Sequence, residues 1–263
     1  MSNADAVIAA LRIEHDRLAG LVPTLTDEQL AGPSGAAEWD LSQVLSHLGS
    51  GAEISRGTLQ AALDDRPAPG RDSWESVWDR WNAMGRRERA DGFLKADESL
   101  IELYESLDAK TRETLHVDLG FMPEPVDVAA AGRLRLNELA LHSWDVRVAF
   151  DEHATLTPES TGQLLPGLSG MLGWIGKPDR LDGRTGVVRV ATSAPASVFA
   201  LRLGDPVSVD HDVPAEPDGT LTLPAEAWVR LVSGRLGPRH TPAAVTTTGA
   251  VDLDVLRAVF PGY

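Results

Sequence analysis

The sequence predicts a helical N-terminal domain followed by a smaller domain of mixed α and β structure. In the first 150 residues, apolar side chains recur at helical spacing over four long segments. After residue 185, short runs rich in valine and leucine alternate with Gly, Pro and Asp turns, which is typical of strands. The character of the chain changes between residues 151 and 157. We therefore predict two domains, a four-helix bundle over residues 1–152 and an α+β domain over residues 153–263.

The four bundle helices are placed by their punctuation as well as by their periodicity. Pro23 and the polar run after it end the first helix, and Asp40 followed by Gln43 resembles a capping box that begins the second. The third helix follows a Pro-rich break, and we expect it to be continuous with a kink near Gly92. The predicted helices cover residues 4–22, 40–54, 73–107 and 126–150.

The second domain is predicted to contain both helices and strands. The strands are expected where valine-rich runs lie between turn residues, and the helices where apolar spacing returns to the helical period. Helices are predicted over residues 158–174, 223–236 and 253–260, and strands over residues 186–191, 198–203 and 207–209.

The composition of the chain restricts the kinds of molecule that it is expected to bind. The formal net charge of −15 disfavours nucleic acid and anionic membranes, so a small-molecule ligand is expected. No apolar leader and no run of about 18 apolar residues occurs, so the sequence predicts a cytoplasmic protein. Because the chain contains no cysteine, any thiol chemistry requires an external thiol.

The fourth predicted helix carries three side chains that are able to bind a metal. At about 100° per residue, Glu138, His142 and Asp145 fall within roughly 60° of one another. A carboxylate and an imidazole four residues apart converge on a common point, and a divalent ion is one partner that satisfies both. His47 of the second helix is expected to meet them inside the bundle. Three apolar neighbours suggest that this face points inward: Leu134, Leu141 and Ala149.

Other residues receive structural interpretations. Gly49 and Gly51 each cost on the order of 1 kcal/mol in a helix interior, so something is expected to offset that cost. A missing side chain at Gly51, one turn beyond His47, is expected to leave room for a ligand or a closely packed neighbour. Three tryptophans at helical spacing are predicted to be core residues: Trp74, Trp78 and Trp81. The histidines interpreted as structural or exposed are His15, His116, His153, His211 and His240.

Two segments resemble the mycothiol-dependent maleylpyruvate isomerase family, which belongs to the DinB-like metal-binding four-helix bundles. They are Trp39-Asp-Leu-Ser-Gln-Val-Leu-Ser-His-Leu48 and Arg135-Leu-Asn-Glu-Leu-Ala-Leu-His-Ser-Trp-Asp145. Arg230-Leu-Val-Ser-Gly-Arg-Leu236 is similar to the C-terminal domain of that family, which has a sterol-carrier-protein-like fold. The resemblance covers nearly the whole chain.

The resemblance implies a site as well as a fold. Its zinc ligands fall on His47, Glu138 and His142, while Asp145 takes a supporting role beside a ligand histidine. An arginine of the C-terminal domain, matched best by Arg235 with Arg230 as the rival, is implied to bind substrate or thiol. Arg135 is a further catalytic candidate, and Trp144 is a candidate for cofactor binding.

The function expected from these residues is a metal- and mycothiol-dependent isomerase or S-transferase. Bound Zn²⁺, or another divalent ion, would activate mycothiol to attack a small electrophile such as a maleylpyruvate-like cis-enedioate. The alternatives are a noncatalytic protein that binds a metal or small ligand and a zinc hydrolase that needs no thiol. The chain is expected to act as a monomer or homodimer without nucleic acid or membrane.

Overall fold

The computed structural model describes residues 3–262, which divide into two compact units, one ending at Asp151 and the other beginning at Glu152. The first unit is helical and the second is built around a five-stranded sheet. No helix within residues 3–262 is both long enough and apolar enough to cross a bilayer.

The first unit is a bundle of four long helices with shorter elements between them. Its helices are α1 (Asn3–Leu21), α2 (Asp27–Leu30), α3 (Leu41–Leu63), α4 (Arg71–Ala83), α5 (Arg86–Ser106), α6 (Ala109–Thr114) and α7 (Val128–Arg147). The strands β1 (His116–Val117) and β2 (Val126–Asp127) pair antiparallel just before α7. Helix α1 packs on α5 and α7, and α3 packs on the same two helices. The buried faces supply a core that includes Leu11, Leu45, Phe93 and Leu139.

The third predicted helix is two helices, so the expected kink at Gly92 is wrong. The chain breaks instead at Met84, which is extended, and Gly85, whose backbone N–H donates to Glu88 and begins α5. Gly92 instead accommodates a neighbouring side chain. A Cβ there would lie 3.1 Å from the Trp81 ring, and one at Gly49 would lie 2.1 Å from the same ring. Both glycines therefore make room for Trp81, which explains the cost of Gly49 in α3.

The predicted core role of the tryptophans holds for one of the three. Trp81 is 2% exposed, and its Nε1 donates to Glu53. Trp78 is 40% exposed, and it and the half-buried Trp74 line a cavity. Helical spacing placed these rings on one side of α4, but α4 covers the bundle only at its C-terminal end.

The second unit contains α8 (Pro158–Leu168), α9 (Leu172–Ile175), β3 (Gly186–Ser193), β4 (Ser197–Leu203), β5 (Ser208–Asp210), β6 (Gly219–Pro224), α10 (Ala225–Val232), β7 (Thr246–Gly249) and α11 (Leu253–Val259). The strand order is β5-β4-β3-β6-β7, and only β3 and β6 run parallel. The rings of Phe199 and Phe260 pack edge-on against Trp228 at 5.2 and 6.4 Å between centroids. The sterol-carrier-protein-like character of this unit stays a prediction.

Two strands of this sheet have no counterpart in the sequence prediction. Strand β6 occupies Gly219–Pro224, so the helix expected from residue 223 begins only at Ala225. Strand β7 is exposed throughout, so it lacks the alternation of buried and exposed residues that marks a strand in sequence. The expected helix over residues 158–174 is also divided, into α8 and α9.

Candidate metal centre

Helices α3 and α7 bring one histidine, one carboxylate and a second histidine together. Nε2 of His47 lies 2.9 Å from Oε2 of Glu138, and Nε2 of His142 lies 3.9 Å from the same oxygen. One potential ligand atom from each residue lies within 4.8 Å of the others. The side chains of His47 and Glu138 are 40% and 41% exposed, whereas that of His142 is 13% exposed. The cluster is therefore anchored in the bundle and open on one side.

The placement of each side chain follows from how its helix begins. Asp40 caps α3 by accepting from the backbone N–H of Gln43 at 2.8 Å, and Gln43 returns a bond to the N–H of Asp40. This fixes the start of α3 two turns before His47. Asp127 caps α7 by accepting a hydrogen bond from the backbone N–H of Ala130. The four-residue spacing of Glu138 and His142 then puts both on one face of α7.

The buried carboxylate of Asp145 orients His142. Oδ2 of Asp145 lies 2.7 Å from Nδ1 of His142, and the Asp145 side chain is fully buried. A carboxylate only accepts, so Nδ1 carries the proton and, in the neutral ring, Nε2 presents its lone pair to the cluster. This is the arrangement commonly found behind a histidine that binds a metal.

Glu138 is held in its ionised form. Burial by itself raises the pKa of this carboxyl group, but the hydrogen bond with His47 and the charge of His142 outweigh burial and bring the pKa to about 2. An anionic oxygen between two imidazole nitrogens is an unbalanced donor set that favours a cation.

The donor set fits a divalent metal ion. Two ligand atoms that each lie about 2.0–2.1 Å from a tetrahedral ion are about 3.3–3.5 Å apart, and the observed separations of 2.9 and 3.9 Å bracket that value. Two nitrogens and one oxygen suit zinc and leave a coordination position for another molecule. The exposed side of the cluster gives access to that position.

Trp39 forms a wall of the cluster. Its ring lies 5.1 Å from that of His47 and stacks on that of His142 at 5.7 Å, centroid to centroid. The indole face thus limits the movement of both imidazoles. Its position immediately before the cap of α3 explains how a loop residue is held so firmly.

The face of α7 that carries the cluster is less enclosed than predicted. Leu141 is buried, but Leu134 is 36% exposed and Ala149 is exposed, so the inward-facing stripe proposed from these three residues is wrong in part. Angular position on a helix does not reveal where the neighbouring helices stop. The cluster lies at the margin of the bundle, which is why Glu138 meets solvent.

Arg135 lies deeper than the three clustered residues. Its Nη2 donates to Oδ1 of Asp97 at 2.6 Å and to the carbonyl oxygen of Leu48 at 3.0 Å. Both side chains of the ion pair are at most 4% exposed. A Cβ at Gly51 would lie 3.2 Å from Nη1 of Arg135, so this glycine makes room for the guanidinium.

The other candidate residues are distributed over both units. Trp144 on α7 is 2% exposed and belongs to the core of the first unit. Arg230 on α10 is 1% exposed and forms a bidentate pair with Glu226. Arg235 follows α10, and its Nη1 donates to the carbonyl oxygen of Ser233 at 2.9 Å.

Gly35 is a residue of the site that sequence reasoning missed. Its backbone N–H donates to the carbonyl oxygen of Asp145 at 2.8 Å. A Cβ at this position would lie 2.9 Å from Cα and Oδ1 of Asp145 and from Cγ1 of Val148. A glycine in a loop before a capped helix is the available signal, but its partner is 110 residues away and is not visible in the sequence.

The family model and the solved structures that match this chain describe the same kind of protein. The model of a family described as the mycothiol maleylpyruvate isomerase N-terminal domain matches residues 11–147. A crystal structure of the mycothiol-dependent maleylpyruvate isomerase is similar at 11% identity and a TM-score of 0.65. A mutant of that isomerase, with alanine in place of a histidine, is similar at 12% identity and a TM-score of 0.62.

Each of the two structures is covered over 95% of its own length and of this chain. This likeness confirms the predicted fold class, a helical region followed by a sheet domain. A comparison with curated proteins finds no match.

Proposed function

We propose that this chain, which belongs to the mycothiol maleylpyruvate isomerase family, is a metal-dependent isomerase or S-transferase that uses mycothiol. The observation that carries the proposal is the cluster of His47, Glu138 and His142 with one open side. Zn²⁺ is the metal that its donor set suits best. We further propose that the protein acts in the cytoplasm, as a monomer or homodimer.

Each residue of the cluster has a distinct task. Glu138 supplies the negative charge, and His47 supplies Nε2 from the facing helix. Asp145 keeps the proton of His142 on Nδ1, which leaves Nε2 of that ring to bind the ion. A divalent ion held by these residues would supply the charge that lowers the pKa of an external thiol, so that thiolate would be present at neutral pH.

The nucleophile comes from outside the chain because the sequence contains no cysteine. In an isomerisation, the thiolate adds to a cis double bond, rotation follows about the resulting single bond, and expulsion of the same thiolate gives the trans product. In an S-transfer, a carbon–sulfur bond forms as the bond to a leaving group breaks, and the thiol proton passes to solvent. The same activated thiolate serves both reactions.

Arginine side chains are proposed to hold anionic groups of the reactants. Arg235 is the preferred candidate by its match to the family, and its rival Arg230 forms a buried pair with Glu226. Arg135, whose guanidinium is buried and paired with Asp97, is proposed to act through its charge, which contributes to the low pKa of Glu138, and not by contact with the reactants. Trp144, which is buried on α7, is proposed to support the thiol site through packing and not through direct contact.

The test is turnover of candidate electrophiles with and without mycothiol, repeated on Glu138→Ala. We expect thiol-dependent turnover that this variant loses, while Glu113→Ala, an exposed carboxylate of α6, keeps it. Turnover that does not require thiol would favour the zinc hydrolase. Binding of metal without any turnover would favour the noncatalytic protein.

A further inference from the structure

Two cavities of opposite character meet at His47. The first, here the apolar cavity, has a volume of about 270 Å³, and its walls include Ile54, Trp74, Trp78, Val117 and Phe121. The second, here the polar cavity, has a volume of about 180 Å³, and its walls include Gln43, Ser46, Asn82 and Arg89. His47, Ser50 and Trp78 line both. Each cavity therefore reaches His47, one of the three clustered residues.

The apolar cavity offers no counter-charge to an anion. Among the described residues that line it, His47 and Tyr104 are the ionisable ones. Burial raises the pKa of Tyr104 further than Arg135 lowers it, so the phenol stays neutral. The nearest guanidinium, that of Arg135 behind Gly51, is already paired with Asp97 at 2.6 Å. Apart from an ion held by the cluster itself, a carboxylate held between these walls would lose its hydration without a side-chain cation to replace it.

The polar cavity has the opposite composition. Arg89 donates to the backbone carbonyl oxygens of Trp81 and Asn82, and it forms no ion pair with a carboxylate within residues 3–262. Side-chain amide and hydroxyl groups from Gln43, Ser46 and Asn82 surround the same space. Such walls suit a hydrophilic molecule that carries many hydroxyl groups.

The size of the apolar cavity sets the size of its occupant. A dry cavity of about 150 Å³ lined by aliphatic and aromatic side chains is large enough for benzene. The apolar cavity, at about 270 Å³, holds one ring with a short reactive substituent. Aromatic walls on α4 and in the segment that follows β1 favour a flat apolar body.

We propose that the electrophile carries an uncharged apolar body of about one ring, which enters the apolar cavity, while the hydrophilic part of the thiol occupies the polar cavity. This inference rests on the proposed function and specifies its substrate class. With benzyl bromide as a representative, the thiolate sulfur bonds to the benzylic carbon, the carbon–bromine bond breaks, and bromide leaves. The thiol proton passes to solvent.

Binding is tested with (trifluoromethyl)benzene, an unreactive ring, by ¹⁹F NMR titration of the full chain. We expect saturable binding that Ser55→Leu weakens at least 10-fold, because Ser55 lines the apolar cavity and leucine fills it. Asn82→Leu, the matched change in the polar cavity, should leave the affinity for the probe unchanged. Maleate, a dianion, should not displace the probe.

A second variant covers the case in which Ser55→Leu fails to fold. Phe121 is 66% exposed, so Phe121→Ala should fold normally and still weaken the probe several-fold. The inference would be overturned if the wild type failed to bind the probe or if maleate displaced it. It would also be overturned if Ser55→Leu and Phe121→Ala both bound the probe as tightly as the wild type.

Kinetics separate this inference from the proposed function. We expect mycothiol-dependent turnover of benzyl bromide with a higher kcat/KM than that of maleylpyruvate. A higher kcat/KM for maleylpyruvate would overturn the apolar substrate class and leave the proposed function intact. Probe binding without any thiol-dependent turnover would overturn the proposed function and leave the cavity as a site for apolar molecules.

Discussion

His142 and Asp145 form a hydrogen bond of 2.7 Å between Nδ1 and Oδ2, and the Asp145 side chain that makes it is fully buried. The two residues lie one helical turn apart on α7. The bond selects the tautomer in which Nε2 of His142 faces Glu138. The readiness of the cluster for a metal therefore depends on a buried residue that is not one of the three proposed ligands.

Removing the charge of Asp145 should weaken metal binding. In Asp145→Asn a neutral amide, which can either accept from or donate to Nδ1, replaces a carboxylate that only accepts, so the tautomer of His142 is no longer fixed. We expect metal affinity to fall about 10- to 100-fold. Competition with a chromophoric chelator measures the affinity, and circular dichroism checks the fold. Unchanged affinity in a folded variant would show that the bond does not support the cluster.

Gly35→Ala should disturb the position of Asp145, the residue that orients His142. The added Cβ would lie 2.9 Å from Asp145 and Val148, so the loop or α7 must shift. We expect a loss of about 1–3 kcal/mol in the free energy of unfolding, together with weaker metal binding. Urea denaturation measures the first and chelator competition the second.

Gly20→Ala is the matched control for Gly35→Ala. Gly20 lies in α1 with nothing within 4 Å of the added Cβ. Alanine there should raise stability by about 0.5–1 kcal/mol through helix propensity and leave the metal affinity alone. Similar effects of the two substitutions would contradict the close packing of Gly35 on Asp145.

The buried pair of Asp97 and Arg135 should contribute to the acid sensitivity of the bundle. Asp97→Ala leaves the guanidinium buried without its partner, and we expect a cost of about 3–5 kcal/mol at pH 7. Burial raises the pKa of Asp97, but Arg135 and His15 outweigh it, so the folded-state pKa lies below the usual value.

The sign of the pH dependence follows from that direction. Because the folded-state pKa is lowered, the pair stabilises the protein fully above the unfolded pKa of about 3.9. The stabilisation is lost as the pH falls through the folded-state pKa. Urea denaturation of wild type and Asp97→Ala should therefore give a stability difference that shrinks below about pH 4. A difference that stays constant down to pH 2 would contradict the lowered pKa.

The cluster was predictable because its geometry is mostly local. The spacing of Glu138 and His142 fixes their common face on α7, and the capping residues Asp40 and Gln43 fix where α3 begins. Only the meeting of His47 with the other two required the bundle. The prediction for these three residues needed one long-range assumption, and the separations of 2.9 and 3.9 Å agree with it.

The features that sequence reasoning missed depend on distant partners. Arg135 shares the helix of the cluster, but its direction is set by Asp97 on α5. The break between α4 and α5 falls at Met84 and Gly85, and it lets Trp81 pack against Gly92 of the following helix. Strand β7 is defined by its pairing with β6, since its own residues are exposed throughout. No local pattern carries this information.

Metal content is the most direct measurement of the central claim, that His47, Glu138 and His142 hold a divalent ion. Elemental analysis should find one metal ion per protein chain in the wild type. We predict that His47→Ala and His142→Ala lose this metal. His116→Ala, which removes an exposed histidine of the same unit, should retain the metal. Equal metal content in the wild type and both cluster variants would contradict the account.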